Sequence, residues 1–203
     1  MKVYQIAVGP MQNFSYIVED ESTHEAIVID PSWDLEKLTE IINEQNLNPK
    51  YIINTHWHDD HTRGNEDLAK ELSVKIVQHS ASQLKNDLTV SDGDSIKFGC
   101  SELAVYHTPG HSKDSICLVG DGKIFSGDTL FVGNCGRIDL PGGSAKELYH
   151  GLFDVIANLS DDLVLYPGHD YGSSSTSTIG KEKQTNPVMQ KMSENEFVER
   201  MGG

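Results

Sequence analysis

The chain has 203 residues, 37% of them apolar, and a formal net charge of −15. Those figures suit one folded domain with a core of its own and exclude a disordered or collagen-like chain. A surface this acidic repels phosphate backbones and anionic lipid, so nucleic acid and membranes are not expected partners, and solubility is its simplest role. Three cysteines, Cys100, Cys117 and Cys135, are odd in number and irregularly spaced. They fit no disulfide framework and no Cys-only zinc motif, which points to a reducing, cytoplasmic setting. The first eight residues lack the basic and apolar blocks of a secretory signal.

In chain order, period-two and apolar runs predict strands over 3–8, 15–18 and 26–29. A helix is predicted over 34–46, with Leu35, Leu38, Ile41 and Ile42 on one face and Asp34 as its cap. A strand over 51–54, a short helix over 65–72 and a strand over 75–78 follow. Strands over 95–98, 103–106, 115–119 and 123–126 come next, with Gly-containing turns at Gly93 and Gly122. The segment 144–159 opens with Ser144 and Glu147 in capping-box spacing. Its Leu148, Leu152, Val155, Ile156 and Leu159 form one helical stripe. A strand over 163–166, a Ser-rich loop over 172–178 and helices over 178–185 and 194–201 complete the chain. Two sheets between helical layers is the arrangement this order suggests, as one domain over 1–203 with a short helical tail from about 173.

The chemistry concentrates in Thr55-His56-Trp57-His58-Asp59-Asp60-His61, directly after an apolar strand. Residues two apart in an extended segment point the same way, so His56 and His58 can grip one ion. Asp60 and His61 follow where the chain turns toward a helix and can serve a second. Burying so many imidazoles and carboxylates without partners would be costly. Two more histidines, His111 and His169, sit in Pro-Gly-His turns after apolar strands, and Asp128 follows Gly127 in a third such loop. Each loop alone is an ordinary turn; together they repeat one design, a ligand at the C-terminal end of a strand.

The His-x-His-x-Asp-His run, taken with His111, Asp128 and His169, resembles the metallo-β-lactamase superfamily over nearly the whole chain. The resemblance implies an α/β fold, a four-layer αββα sandwich with the site at one edge. It implies that His56, His58 and His111 hold one divalent metal, that Asp60, His61 and His169 hold a second, and that Asp128 bridges both. Histidine and carboxylate ligands without thiolate leave zinc, iron and manganese open. A bridging Asp128 is similar to the hydrolase branch and not to true β-lactamases. Flavodiiron reductases and the superfamily's nucleases carry further large domains.

Two branches remain, glyoxalase II-type thioesterases and persulfide dioxygenases. By resemblance, Arg137 and Tyr171 hold a small thiol-derived substrate. The tail, with Ser177-Thr178-Ile179-Gly180, Thr185-Asn186-Pro187 and Glu196-Phe197-Val198, looks more like that of a dioxygenase or of a short glyoxalase II-like protein. The first expectation is thioester hydrolysis by a hydroxide shared between two metals roughly 3.5–4 Å apart. Asp60 would then orient the nucleophile as the catalytic residue besides binding metal. The alternative is persulfide oxidation at one Fe(II) held by His56, His111 and Asp128, a two-His, one-carboxylate face. His58, Asp60, His61 and His169 would then support that ion from outside. A homo-oligomer is compatible with either. Trp57 reads as core packing and Cys135 as a small buried neighbour of the site. Lys181 and Lys183 read as solvated helix lysines. His24, His79, His107 and His150 fit no ligand slot.

Overall fold

The computed structural model describes residues 1–202. The first sheet contains β1 (Lys2–Val8), β2 (Asn13–Glu19), β3 (Glu25–Ile29), β4 (Asn48–Ile53), β5 (Lys75–His79) and β6 (Leu88–Val90), in that spatial order. β1 to β3 pair antiparallel, and β3 to β6 pair parallel. The second sheet contains β7 (Ser95–Phe98), β8 (Ser101–His107), β9 (Ile116–Gly120), β10 (Lys123–Gly127), β11 (Val164–Pro167) and β12 (Ser177–Thr178). Its neighbours are antiparallel except β10 and β11.

Side-chain alternation decides the layering. Ile27 and Ile29 of β3 join Tyr16 and Val18 of β2 in a core shared with Leu103, Val105, Ile116, Leu118 and Phe125 of the second sheet. The intervening Ile17, Ala26 and Val28 face the other way. There they meet Leu38 and Ile42 of α1 (Leu35–Glu44); α2 (Asp59–Thr62) leads to α3 (Asn65–Leu72), whose Leu68 packs on the same face. The outer face of the second sheet, with Cys117, Ile124 and Leu165, is covered by α4 (Ala145–His150), α5 (Ile179–Thr185) and α6 (Glu194–Arg200). Strands buried on both faces therefore carry unbroken apolar runs, and the layers stack as αββα.

Several local expectations are corrected. Asp34 occupies the N-cap of α1 but in the left-handed region, φ 52°, and its side chain caps nothing. Its carboxylate accepts instead from Gly9 N (3.2 Å) and Lys37 Nζ (2.9 Å), tying the β1 end to the helix. The helix expected over 144–159 begins as α4, capped by Ser144, then widens into a π turn over Gly151–Val155 and a 3₁₀ turn over Ile156–Asn158. Leu148, Leu152 and Ile156 are all fully buried. The wider turn keeps residues four apart in line, where ideal turns of about 3.6 residues would let them drift. β6 escapes the pattern because only Val90 of its three residues is buried. β12 lies inside the stretch expected to be loop, at the start of the C-terminal segment. Among the described residues no helix is long and apolar enough to cross a membrane.

The core shared between the sheets buries apolar side chains from both of them. Leu103→Ala, at a fully buried position there, is expected to lower unfolding free energy by about 2–5 kcal/mol, read as a shift of the urea midpoint at unchanged slope.

Candidate metal centre

Five strand ends meet at one edge of the sandwich. Parallel pairing of β3 with β4 sets the residue after β3, Asp30, beside the run that follows β4, and Asp30 N donates to Ile53 O (3.0 Å). Parallel pairing of β10 with β11 does the same for Asp128 and His169. His111 arrives from the loop after β8. Thr55 O accepts from Ile116 N (2.9 Å), which joins the two sheets at this edge. Two glycines make the approach feasible. Gly127 bends the chain at φ 50° just before Asp128, and a Cβ on Gly168 would lie 2.3 Å from Asp128 Oδ1.

All seven expected ligands lie in this one place. His56, His58, His61, His111, His169 and Asp128 are buried, and Asp60 is half-buried. His111 Nε2 faces His58 Nδ1 at 2.8 Å, and His61 Nε2 faces His169 Nε2 at 3.3 Å. Asp128 Oδ1 is 3.4 Å from His61 Nε2, and its Oδ2 is 3.5 Å from His111 Nε2 and 3.4 Å from His169 Nε2. Asp60 Oδ2 is 3.4 Å from both His61 Nε2 and His169 Nε2. Four ligands at about 2.0–2.1 Å around a tetrahedral ion are separated by about 3.3–3.4 Å, so the nitrogen–oxygen spacings are those of ligands sharing cations. Potential ligand atoms of His56, His58 and His111 form one group within 4.8 Å of one another, and those of Asp60, His61 and His169 form another. Asp128 stands between the two.

The hydrogen bonds behind the rings aim their lone pairs inward. His111 Nδ1 donates to Arg137 O (2.7 Å) and His169 Nδ1 to Met11 O (2.9 Å). His61 Nδ1 donates to Asp30 Oδ2 (3.0 Å). Thr55 Oγ1 gives its proton to Asp30 Oδ2 (2.6 Å), so it can only accept from His56 Nδ1 (3.1 Å). Each of these four histidines therefore turns its Nε2 to the centre, where it can hold a metal ion or a proton. His56 Nε2, His58 Nε2 and Asp128 Oδ1 are buried with no hydrogen-bond partner among the described residues. Lone pairs and carboxylates crowded together without donors fit a resident cation, and the residues present suit one or two metal ions.

Asp30 went unnoticed in the sequence. Besides the two contacts above, its Oδ1 accepts from Thr55 N (2.7 Å). One carboxylate thus orients two histidines. A single acid one residue past an apolar strand carries no pattern of its own; its signal is that the next strand ends in the histidine run. Asn13 was missed too, and its Nδ2 donates to both the carbonyl and Oδ2 of Asp60 (3.0 Å each).

Charge follows the same geometry. Burial holds the His56 pKa well below the usual value and brings His58 down to about 4, with neighbouring imidazoles adding to the effect. Burial is the largest single influence on His61 and His169 and opposes their charge, but the carboxylates together outweigh it, Asp128 with Asp30 and Asp60 at His61 and Asp128 with Asp60 at His169. His61 rises well above the ordinary range and His169 to about 9. Burial opposes ionisation of Asp60 and Asp128 as well, yet the facing histidines hold both carboxyls far below the usual carboxylate range. With no metal bound, protons on His61 and His169 supply the positive charge.

A cleft of about 300 Å³ opens over the Asp60, Asp128 and His169 side, lined also by Met11, Phe131, Asn134, Cys135, Arg137, Leu140 and Tyr171. Tyr171 stacks on His169 (centroids 4.5 Å, 11°), and Phe131 meets both rings edge-on. Arg137 is exposed and its guanidinium forms a two-point pair with Asp139. Trp57 is only half-buried and lines a small cleft with Lys113 and Pro141, which corrects its reading as core. Lys183 is no free helix lysine; it binds Asp161 Oδ1 (2.6 Å) and Leu159 O (3.1 Å). His79 and His107 stack on each other at 4.0 Å, away from the ligand cluster.

The fold and the cluster define a four-layer αββα protein with a histidine–carboxylate centre at the sheet edge. The sequence pattern of the Metallo-beta-lactamase superfamily matches residues 8–83 and 78–169, and the chain belongs to that superfamily of enzymes. It is 36% identical over 193 residues to the mitochondrial persulfide dioxygenase ETHE1 of Homo sapiens, covering 93% of this chain and 76% of that protein. It is 36% identical over 172 residues to the hydroxyacylglutathione hydrolase of Tolumonas auensis, covering 82% of this chain and 66% of that protein. The crystal structure of ETHE1 from Myxococcus xanthus matches with a TM-score of 0.95 at 30% identity, covering 100% of this chain and 91% of that chain.

Metal binding at Asp60, His61 and His169 must displace the proton that His169 holds below pH about 9. Affinity for a divalent ion is therefore expected to rise with pH up to about 9, roughly tenfold per unit for each proton displaced. His58, with its pKa near 4, adds nothing to that slope above pH 5. Chelator competition across pH 6 to 9 measures it, and a flat profile would count against this charge assignment.

Proposed function

We propose that the protein is a persulfide dioxygenase acting on a small thiol persulfide, with one ferrous ion held by His56, His111 and Asp128. The observation that carries this reading is the extent of the likeness. The match to the human enzyme runs over 93% of the chain, and the match to the bacterial ETHE1 structure over 100% of it. It therefore takes in the C-terminal segment packed behind the cleft as well as the ligand loops. This support favours persulfide oxidation over the thioester hydrolysis expected first from the sequence.

A ferrous ion on two histidines and one carboxylate would supply open positions for dioxygen and the persulfide sulfur. The chain supplies the rest. Asp30 and Thr55 fix the His56 ring, and the Arg137 carbonyl fixes His111. In this reading protons on His61 and His169 take the place of a second cation beside Asp60 and Asp128. The Arg137 guanidinium, at the cleft mouth, exchanges its partner Asp139 for the substrate's carboxylate. Met11, Phe131, Leu140 and Tyr171 shield the reacting sulfur from water. Overall, RSSH, O₂ and H₂O give RSH, sulfite and two protons; the outer sulfur is oxidised and dioxygen reduced.

A second reading, thioester hydrolysis, has one specific observation in its favour. Asp60, His61 and His169 form a ligand group of their own that would hold a second ion, and a pair of ions would supply an activated water as nucleophile.

Metal analysis paired with two assays separates them. One iron per chain with oxygen uptake and sulfite release on a glutathione persulfide is expected; two metals with lactoyl-thioester hydrolysis and no oxygen uptake would overturn the proposal. His111→Ala and Asp128→Ala are each expected to lower kcat/KM at least about a hundredfold with the fold intact by circular dichroism. Arg137→Ala is expected to raise KM about tenfold at nearly unchanged kcat, as loss of a substrate-carboxylate contact does.

A further inference from the structure

The cleft wall nearest Tyr171 is the segment from Phe131 to Cys135, and its backbone is not held by its own sheet. It is gripped from the C-terminal segment. Glu182, on α5 and 1% exposed, accepts from Gly133 N (2.8 Å) through Oε2 and from the Ser177 hydroxyl through Oε1. Asn186, which follows α5 and is fully buried, donates from Nδ2 to Phe131 O (3.2 Å), Asn134 O (3.1 Å) and Glu182 Oε2 (2.9 Å). Its Oδ1 accepts from Val188 N (3.1 Å), so no polar atom of this side chain is idle. The two carbonyls it holds belong to the residues that flank the turn closed by Phe131 N and Asn134 O (2.8 Å). Phe131 carries the consequence to the site, since its ring rests edge-on against both His169 and Tyr171.

A buried carboxylate is costly unless each oxygen is paired. An apolar pair would hold α5 against the sheet as well, and Ile179 already does so. What the polar pair adds is direction: three hydrogen bonds, with Gly133 N, Phe131 O and Asn134 O, that fix one conformation of the cleft loop. We propose that Glu182 and Asn186 are positioning residues for the substrate cleft, setting the Phe131–Cys135 wall against which the thiol part of the substrate lies. This rests on the reading that the cleft takes a thiol-derived substrate. Neither residue touches the ligand cluster; both act through the loop.

The test uses metal-loaded, full-length protein. Glu182→Gln keeps the shape but removes the charge and replaces one of the two acceptor oxygens by an amide donor, so Gly133 N and Asn186 Nδ2 keep at best a neutral acceptor and Ser177 must turn its hydroxyl to accept. Asn186→Ala, which leaves Glu182 with Gly133 and Ser177, is the second variant should the first fold poorly. Lys183→Met is the control, because it cuts the anchor of the same helix to Asp161 on its other side. Cys135 lies in the wall and is 6% exposed, so its alkylation by iodoacetamide reports wall opening; buried Cys117 serves as the internal reference. Glu182→Gln and Asn186→Ala are expected to speed Cys135 alkylation about tenfold with Cys117 unchanged, and to raise KM about tenfold at nearly constant kcat and metal content, the effect of one lost charge-assisted bond. Lys183→Met is expected to lower Tm and leave both readouts alone. KM is read on whichever of the persulfide or the lactoyl thioester the wild type turns over. Turnover of neither would sink the functional reading, and the Cys135 rate alone would then judge the clamp. An unchanged Cys135 rate, an opened wall with unchanged KM, or an equal response from Lys183→Met would each overturn the clamp.

Discussion

The structure depends on one electrostatic requirement: lone pairs and carboxylates forced together out of water need a cation between them. Four imidazoles turn Nε2 to a space that Asp128 and Asp60 also face. In water such groups would separate or take up protons. Here the surrounding hydrogen bonds forbid the first, and the raised His61 and His169 show the second at work. The protein is thus built around a positive charge, carried by protons on His61 and His169 or by a metal ion in their place.

What forbids separation is the sheet architecture. Parallel pairing sets neighbouring strand ends side by side, so Asp30 meets the histidine run after β4, and Asp128 meets His169. β3 and β10, which lead into Asp30 and Asp128, are buried on both faces. Ligands fixed on such strand ends hold their spacing before any ion arrives, which is how a site gains affinity without reorganising. The glycine at 168 belongs to the same logic, since any side chain there would strike Asp128.

Much of this was legible in the sequence, and the parts that were not share a cause. The run from His56 to His61 could be read because its ligands are neighbours in the chain and of types that rarely cluster otherwise. The layers could be read because strands such as 26–29 are apolar throughout. Asp30, Asn13 and Glu182 were silent, and Asn186 was read only as part of a tail motif, because each acts across the fold on a residue distant in the chain, and a single acid or amide has no period. Trp57 misled because an aromatic residue between two ligands suggests core, while the loop it sits on lies at the surface. The π turn after α4 answers a stripe spaced by fours, which looked helical whichever turn was used. The choice between the two chemistries stayed open for a different reason: both branches keep the same ligands, so the pattern that identifies the family cannot rank its members.

The ligands come from chain segments that span more than half the protein, from His56 to His169, and from loops belonging to both sheets. An ion seated among them is in effect a reversible staple. Unfolding must expel it, so the folded form is favoured by mass action in proportion to free metal. Starvation for that metal would then reach the cell twice, once as idle enzyme and again as a molecule that opens sooner and is cleared faster by proteases.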